Sequence, residues 1–333
     1  MFKLTADTFD LADILKRWES ELGDIFSETV WQEYTLPKSR RVTLHRCNNC
    51  GLGMFRPVRA GSPDFYKTIT TKDGECYTAE KWEFLQAIRD LKKHRSHRIL
   101  DIGCGSGHFL DLLRDRLPSA DYAGYELNSE MSELARSKGH KVYHGSFPEA
   151  VLAENKDGSF DAICMFQVLE HLPDPVASLK SARRLLSPRG VLIIGVPDAE
   201  GPVRHLPSAL TNIPPHHVSR WCESTFRIGM TRLGFRTLRV AREPMPLYLW
   251  DSYFQAMIQS VVQRKKRKLP IRVINRFVIE VRGGEDLSTL IRKSISRLTD
   301  PLLRILFWSR FRWLWGVPGP HMYVVLQRED GSR

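Results

Sequence analysis

The sequence predicts a seven-stranded, doubly wound α/β domain, with an N-terminal helical cap and a basic helical insertion before the last strand. Three observations carry that expectation. Strand-length apolar runs alternate with helical stretches from residue 98 onward, the first run breaks into a loop of three glycines, and roughly 80 residues separate the last two strand-like runs.

Composition sets the frame. The chain has 333 residues, 42% hydrophobic and 26% charged, enough to bury a full core. The opening MFKLTADTFD has no apolar stretch behind a basic start, and no run of about 18 apolar residues occurs. A cytoplasmic protein is expected, with any membrane contact confined to the surface. Only Cys47 and Cys50 of the six cysteines are paired by spacing, so free thiols are expected rather than a disulfide framework.

Leu11, Ile14, Leu15, Trp18, Leu22, Ile25 and Phe26 recur at helical spacing behind Asp10, a residue type that caps helices. A loop-rich segment containing RCNNCGLG follows, then a second helical pattern at Trp82, Leu85, Ile88 and Leu91. These form a cap over residues 1–96. Strand-like runs at 98–102, 122–125, 141–143, 161–166 and 191–196 alternate with helical stretches at 108–117, 129–138 and 174–186, which implies crossovers and a parallel sheet. A Pro-rich loop at 197–215, a helix near 223–233 and a strand near 235–241 complete a catalytic domain at 97–244. The last strand, MYVVLQ at 322–327, belongs to a closing segment at 320–333.

The insertion at 245–319 carries the charge. Residues 251–333 hold 16 Lys and Arg against 7 Asp and Glu, while the first 250 residues are nearly balanced at 34 against 31. Amphipathic stretches around Tyr253–Val262 and Leu287–Leu298, and the Trp- and Arg-rich LLRILFWSRFRWLW, give it helical character.

In ILDIGCGSGHFL (99–110), Gly103, Gly105 and Gly107 follow a strand and open a helix, the layout of a nucleotide-type cofactor site. The Lys-Ser/Thr ending of a phosphate loop and the G-x-G-x-x-G spacing for a pyrophosphate are both absent. Glu126 ends the next strand, 21 residues after Gly105, where a carboxylate can accept hydrogen bonds from ribose hydroxyls. A nucleoside without phosphates satisfies both features.

From about Ile99 to Arg242 the chain resembles the class I S-adenosylmethionine-dependent methyltransferases, through ILDIGCGSG, YELN, SFDAICMFQVLEHLPDP and LLSPRGVLIIGVPD. The resemblance implies a Rossmann-like fold and S-adenosyl-L-methionine as cofactor. It also implies that Asp101, Gly103, Cys104, Gly105 and Gly107 border the methionine portion, Glu126 and Leu127 the ribose, Ser146 and Phe147 the adenine, and that Gln167 sits where cofactor and acceptor pockets meet. In-line displacement from a sulfonium needs alignment above all, and a base only when the acceptor is protonated.

On the acceptor side, IPPHHVSRW (213–221) resembles the histidine-bearing loop of methyltransferases acting on sugars and related metabolites. His217 is the first candidate base and His216 the second, with hydrogen bonding to loop backbone as the bland alternative. His171, in LEHL, is a weaker candidate whose alternative role is to cap the next helix. Tyr66 and Tyr77 lie where the N-terminal segment can cover the pocket, although packing is the commoner role of such aromatics. HRCNNCGLGMFRP resembles half of a zinc ribbon that precedes some of these domains; the first cysteine pair is missing, so no metal is expected.

The expected reaction is methyl transfer to a small or lipid-linked acceptor, most plausibly a saccharide oxygen or carbon. The alternatives are O-methylation of a quinone or other prenylated metabolite at a membrane surface, and a cofactor-binding partner module without activity. For the insertion, packing on the catalytic domain or on a second subunit ranks first, peripheral membrane contact second and nucleic acid third.

Overall fold

The structure is a computed structural model that describes residues 2–36, 40–72, 81–246 and 318–329. Strand β1 (Phe2–Asp10) ends in the residue that starts helix α1 (Leu11–Leu22): the Asp10 carboxylate accepts the Ala12 N–H at 3.0 Å. Leu11, Ile14, Leu15 and Trp18 bury the predicted face. The helix stops four residues short of Phe26, because Gly23 at φ +86° turns the chain out of it. Helix α2 (Glu28–Thr35), strands β2 (Arg41–Cys47) and β3 (Gly53–Arg56) and helix α3 (Pro63–Lys72) follow.

The helical cap is thus joined by a sheet that periodicity did not predict. β1, β2, β3 and the short β9 (Ser219–Arg220) form a four-stranded antiparallel sheet. Its last pairing, Met54 with Ser219, joins segments far apart in sequence, so no local pattern announces it. Leu11, Trp18, Tyr34, Leu44, Phe55, Phe65 and Ile213 make a separate core beneath it.

All seven strands of the main sheet form where the apolar runs place them. In chain order they are β4 (Arg98–Ile102), β5 (Asp121–Tyr125), β6 (Val142–Tyr143), β7 (Phe160–Phe166), β8 (Leu186–Pro197), β10 (Phe235–Pro244) and β11 (Pro318–Arg328). The spatial order is β10-β11-β8-β7-β4-β5-β6. The pairings from β6 through β8 are parallel, and β11 inserts antiparallel between β8 and β10.

The crossover helices are α5 (His108–Arg116), α6 (Ser129–Ser137), α7 (Glu149–Leu152) and α8 (Pro175–Leu185), and α4 (Trp82–Lys93) leads into β4. Covered on both faces, the central strands read as unbroken apolar runs. Ile163, Met165, Leu192 and Ile194 point into one core, while Ala162, Cys164, Phe166, Val191 and Ile193 point with α4 into the other.

Two local expectations change. The helix near 223–233 forms, but as a π-helix, Thr225–Gly229, followed by a 3₁₀-helix, Met230–Leu233, in place of a regular α-helix. There Thr225 Oγ1 donates to Cys50 O rather than facing solvent, and Gly234 in the left-handed region ends the segment. His171 does not cap α8: Asp174 does, accepting the Ala177 N–H at 2.9 Å. Asp161, near the start of β7, accepts the backbone N–H groups of His97 and Arg98 and so ties β7 to β4. Cys76, Tyr77 and nearly all of the insertion at 245–319 lie outside the described residues.

Candidate active site

Asp101 is the fourth residue of β4, and the chain bends sharply beyond Ile102. Gly103, Gly105 and Gly107 all adopt positive φ (79°, 53° and 85°). At Gly103 a side chain is excluded twice, since a Cβ would also lie 2.5 Å from Val168 Cγ2. The N–H groups of Gly103 and Cys104 donate to Tyr125 O at the end of β5, which pins the bend against the neighbouring strand. The Cys104 thiol fills the space above Gly124, where a Cβ would sit 2.4 Å from the sulfur.

Glu126 reaches back to this bend. Its Oε2 accepts the Gly105 N–H and its Oε1 the Asn128 N–H, both at 2.8 Å. An ionised carboxylate has about four acceptor positions, so roughly two remain for a ligand. Asp101 is 2% exposed, and its Oδ1 has no hydrogen-bond partner. Burial, and then the nearby Glu126 charge, hold its carboxyl well above the usual range. An unmatched acid at the floor of a bend that leaves no room for a side chain suits a cationic ligand group. The residues therefore fit the methionine end and ribose of S-adenosylmethionine.

Leu127 is 60% exposed beside Glu126. Ser146 is exposed, and Phe147 packs against Tyr125 with ring centroids 5.1 Å apart. These three line the same edge of the sheet beyond β5 and β6. Gln167 follows β7 with φ +56°, and its Nε2 donates to Glu83 Oε2 at 3.1 Å.

Glu83 was not singled out in sequence. It lies on α4, is 4% exposed, and leaves Oε1 without a partner over the end of β8, where Gly195 provides the space. The helical pattern of Trp82, Leu85, Ile88 and Leu91 assigns it to the polar face. That face is buried here because α4 runs across the strand ends.

The three candidate histidines converge. His171 comes from the loop after β7, and His216 and His217 from the double-proline loop that enters β9. His171 lies 4.7 Å ring to ring from each of the other two, which stack at 4.6 Å. One ligand nitrogen from each falls within 4.8 Å of the others, and all three residues are half-buried. Tyr66 on α3 joins them, its hydroxyl donating to His216 O at 3.0 Å and lying 2.9 Å from His171 Nδ1. The packing role expected of Tyr66 is thus only part of its role.

Burial keeps the imidazoles neutral, lowering His171 to about 4 and His216 and His217 well below the ordinary value. Glu170 beside them is pushed up to about 8 by burial, and neither of its carboxylate oxygens has a hydrogen-bond partner. Val168, two residues before Glu170, packs over Gly103, which joins the loop carrying His171 to the glycine bend.

Cys47 and Cys50 form the turn between β2 and β3. Cys222 lies beside them, 3.7 Å from Cys50 O. Among the described residues, the one group of three or more His, Cys, Asp or Glu side chains with ligand atoms this close is the histidine cluster. A zinc-ribbon segment is not shown.

A doubly wound sheet with a phosphate-free glycine bend and a carboxylate on the next strand defines the class: a methyltransferase dependent on S-adenosyl-L-methionine, which is its cofactor. Residues 76–240, just under half of the chain, match the family model described as a methyltransferase domain.

The chain is 26% identical over 193 residues to the ubiquinone biosynthesis O-methyltransferase of Methylococcus capsulatus, covering 50% of this chain and 79% of that one. It is 36% identical over 102 residues to the protein of the same name from Xanthomonas oryzae pv. oryzae, covering 29% and 41%. Apart from the Methylococcus protein, the first curated relatives are matched over about two fifths of their length. Among solved structures, a chain of the complex between the Haloferax volcanii Trm112 methyltransferase activator and a methyltransferase aligns with a TM-score of 0.50 at 15% identity, over 82% of this chain and all of that one. That likeness concerns the fold alone. No helix among the described residues is long and apolar enough to cross a membrane.

Proposed function

We propose that the protein transfers a methyl group from S-adenosyl-L-methionine to a hydroxyl oxygen of a small or lipid-linked acceptor presented at the histidine cluster. The carrying observation is the meeting of His171, His216 and His217 on the side of Val168 and Glu170 that adjoins the glycine bend. When bound, the cofactor supplies an electrophilic methyl on a sulfonium. Asp101 would face its cationic end, Glu126 would hold the ribose with its spare lone pairs beside Leu127, and Ser146 and Phe147 would border the adenine. Gln167, fixed by Glu83, would separate the two pockets.

Neutral imidazoles accept a proton or a hydrogen bond from an acceptor hydroxyl, and the aromatic wall of Trp18, Phe65 and Tyr66 limits water around it. Two acceptor chemistries suit such a site, a saccharide hydroxyl and the hydroxyl of a prenylated quinol. The names of the curated relatives favour the second, at modest identity. A lipid-linked acceptor would be met at a membrane surface through the basic segment 245–319.

The test is release of S-adenosylhomocysteine with a panel of sugar nucleotides and a panel of short-chain polyprenyl catechols. Turnover with one panel is expected, and His217→Ala should lower it about a hundredfold or more. Cofactor binding without turnover on either panel would favour the non-catalytic module, and turnover of the alanine variant within a few-fold of the parent would overturn the role of the cluster.

A further inference from the structure

The three imidazoles are arranged as ligands as well as hydrogen-bond partners. A metal-bound histidine ordinarily donates its other ring N–H to a carbonyl or carboxylate, which fixes the tautomer and aims the free nitrogen. His171 has that arrangement already. Its Nδ1 lies 2.8 Å from His216 O, and a carbonyl oxygen can only accept, so Nδ1 carries the hydrogen and Nε2 presents a lone pair. The Tyr66 hydroxyl, which donates to the same carbonyl at 3.0 Å, lies 2.9 Å from that Nδ1 and can accept its hydrogen as well.

His216 offers the complementary feature, a buried Nδ1 with no partner. His217 stacks on it and lines a recess with Asn212, Ser219 and Arg220. The ligand nitrogens lie within 4.8 Å of one another. Two nitrogens on a tetrahedral zinc are about 3.4 Å apart, given a bond of about 2.1 Å, so ring rotations of at most about an ångström and a half would gather the set. A carboxyl group stands alongside: Glu170 is 1% exposed, has two unpartnered oxygens and lies 4.0 Å from His171 Nε2. Two buried carboxyl oxygens without a hydrogen-bond partner beside neutral imidazoles lack a polar match, and a divalent cation at the cluster would supply one.

We propose that His171, His216 and His217 bind one first-row divalent transition-metal ion, zinc being the best fit to three imidazole ligands, with a coordination position left open toward the acceptor. Three protein nitrogens and an open position are the donor set of catalytic rather than structural zinc. Such an ion would hold the acceptor oxygen and lower the pKa of its hydroxyl, so the imidazoles would serve as ligands in place of a proton carrier. This deepens the acceptor reading given above and rests on the same pocket, but ion binding can be measured with neither cofactor nor acceptor present.

The experiment titrates the chelator-stripped full chain with cobalt(II) chloride, followed by visible absorption, and with zinc chloride, followed by calorimetry. One ion per chain is expected, with ligand-field bands and no sulfur-to-metal charge-transfer band. His171→Ala and His216→Gln should each weaken binding by more than about a hundredfold, beyond the loss usual for an outer partner, and Tyr66→Phe by about tenfold. Retained S-adenosylhomocysteine binding reports that each variant is folded. Cys47→Ser/Cys50→Ser should bind as the parent does.

Failure to take up one ion per chain overturns the proposal. So does a charge-transfer band that vanishes in the double cysteine variant, or unchanged affinity in folded histidine variants. Metal uptake without turnover on either acceptor panel keeps this site and overturns the acceptor reading, whereas turnover by a metal-free chain does the reverse.

Discussion

At Gly103 the chain bends with φ +79°, and a Cβ there would press on Val168 at 2.5 Å. A left-handed alanine costs about 1–2 kcal/mol, and displacing Val168 moves the loop that carries Gln167 and Glu170. Gly103→Ala should therefore weaken S-adenosylhomocysteine binding about tenfold or more, measured by calorimetry. Gly103→Ala/Val168→Ala should recover only part of the loss, because it relieves the contact and leaves the backbone strain. This residue was legible in sequence, since a glycine between a strand and a helix has few other uses. Glu83 was not: a carboxylate one residue into an amphipathic helix belongs to the solvent face by periodicity, and only the crossing of α4 over the ends of β7 and β8 buries it.

Among elements, the central strands carry the packing. Ile163 in β7 is fully buried between layers that β4 and β8 flank, and cutting it to alanine should cost about 2–5 kcal/mol in denaturant unfolding. Leu238→Ala in β10, at a side chain 38% exposed, should change stability by less than about 0.5 kcal/mol. Strand positions were readable because burial on both faces leaves uninterrupted apolar runs. The N-terminal antiparallel sheet was missed for the opposite reason. FKLTADTFD alternates polar and apolar residues only loosely, and its partner begins some thirty residues later.

Across the whole molecule, Arg242 on β10 ties the end of β8 to the turn before Thr225, donating to Asp198 at 2.7 Å and to Glu223 at 3.0 Å. Glu223 also accepts from Arg227 at 2.6 Å. The Arg227 hydrogen bond first, and the Arg242 bond and charge after it, hold the Glu223 carboxyl below its ordinary value. A carboxyl lowered in the folded state contributes stability above its unfolded pKa, about 4.3, and that contribution is lost as pH falls through the lower folded value. Thermal unfolding of Glu223→Gln should match the parent in strong acid and fall below it at neutral pH; parallel profiles would remove the pair from the account.

The cofactor half of the protein was written locally. The glycine bend, the carboxylate ending the next strand and the apolar strand runs each occupy a few consecutive residues, and their spacing follows from backbone sterics and sheet periodicity. The acceptor half was decided by tertiary structure. His171, His216 and Tyr66 were each readable singly, but their meeting depends on loops 45 to 150 residues apart being brought over the same strand ends. One-dimensional spacing carries no information about that convergence, because it is set by the packing of the N-terminal sheet against the main one.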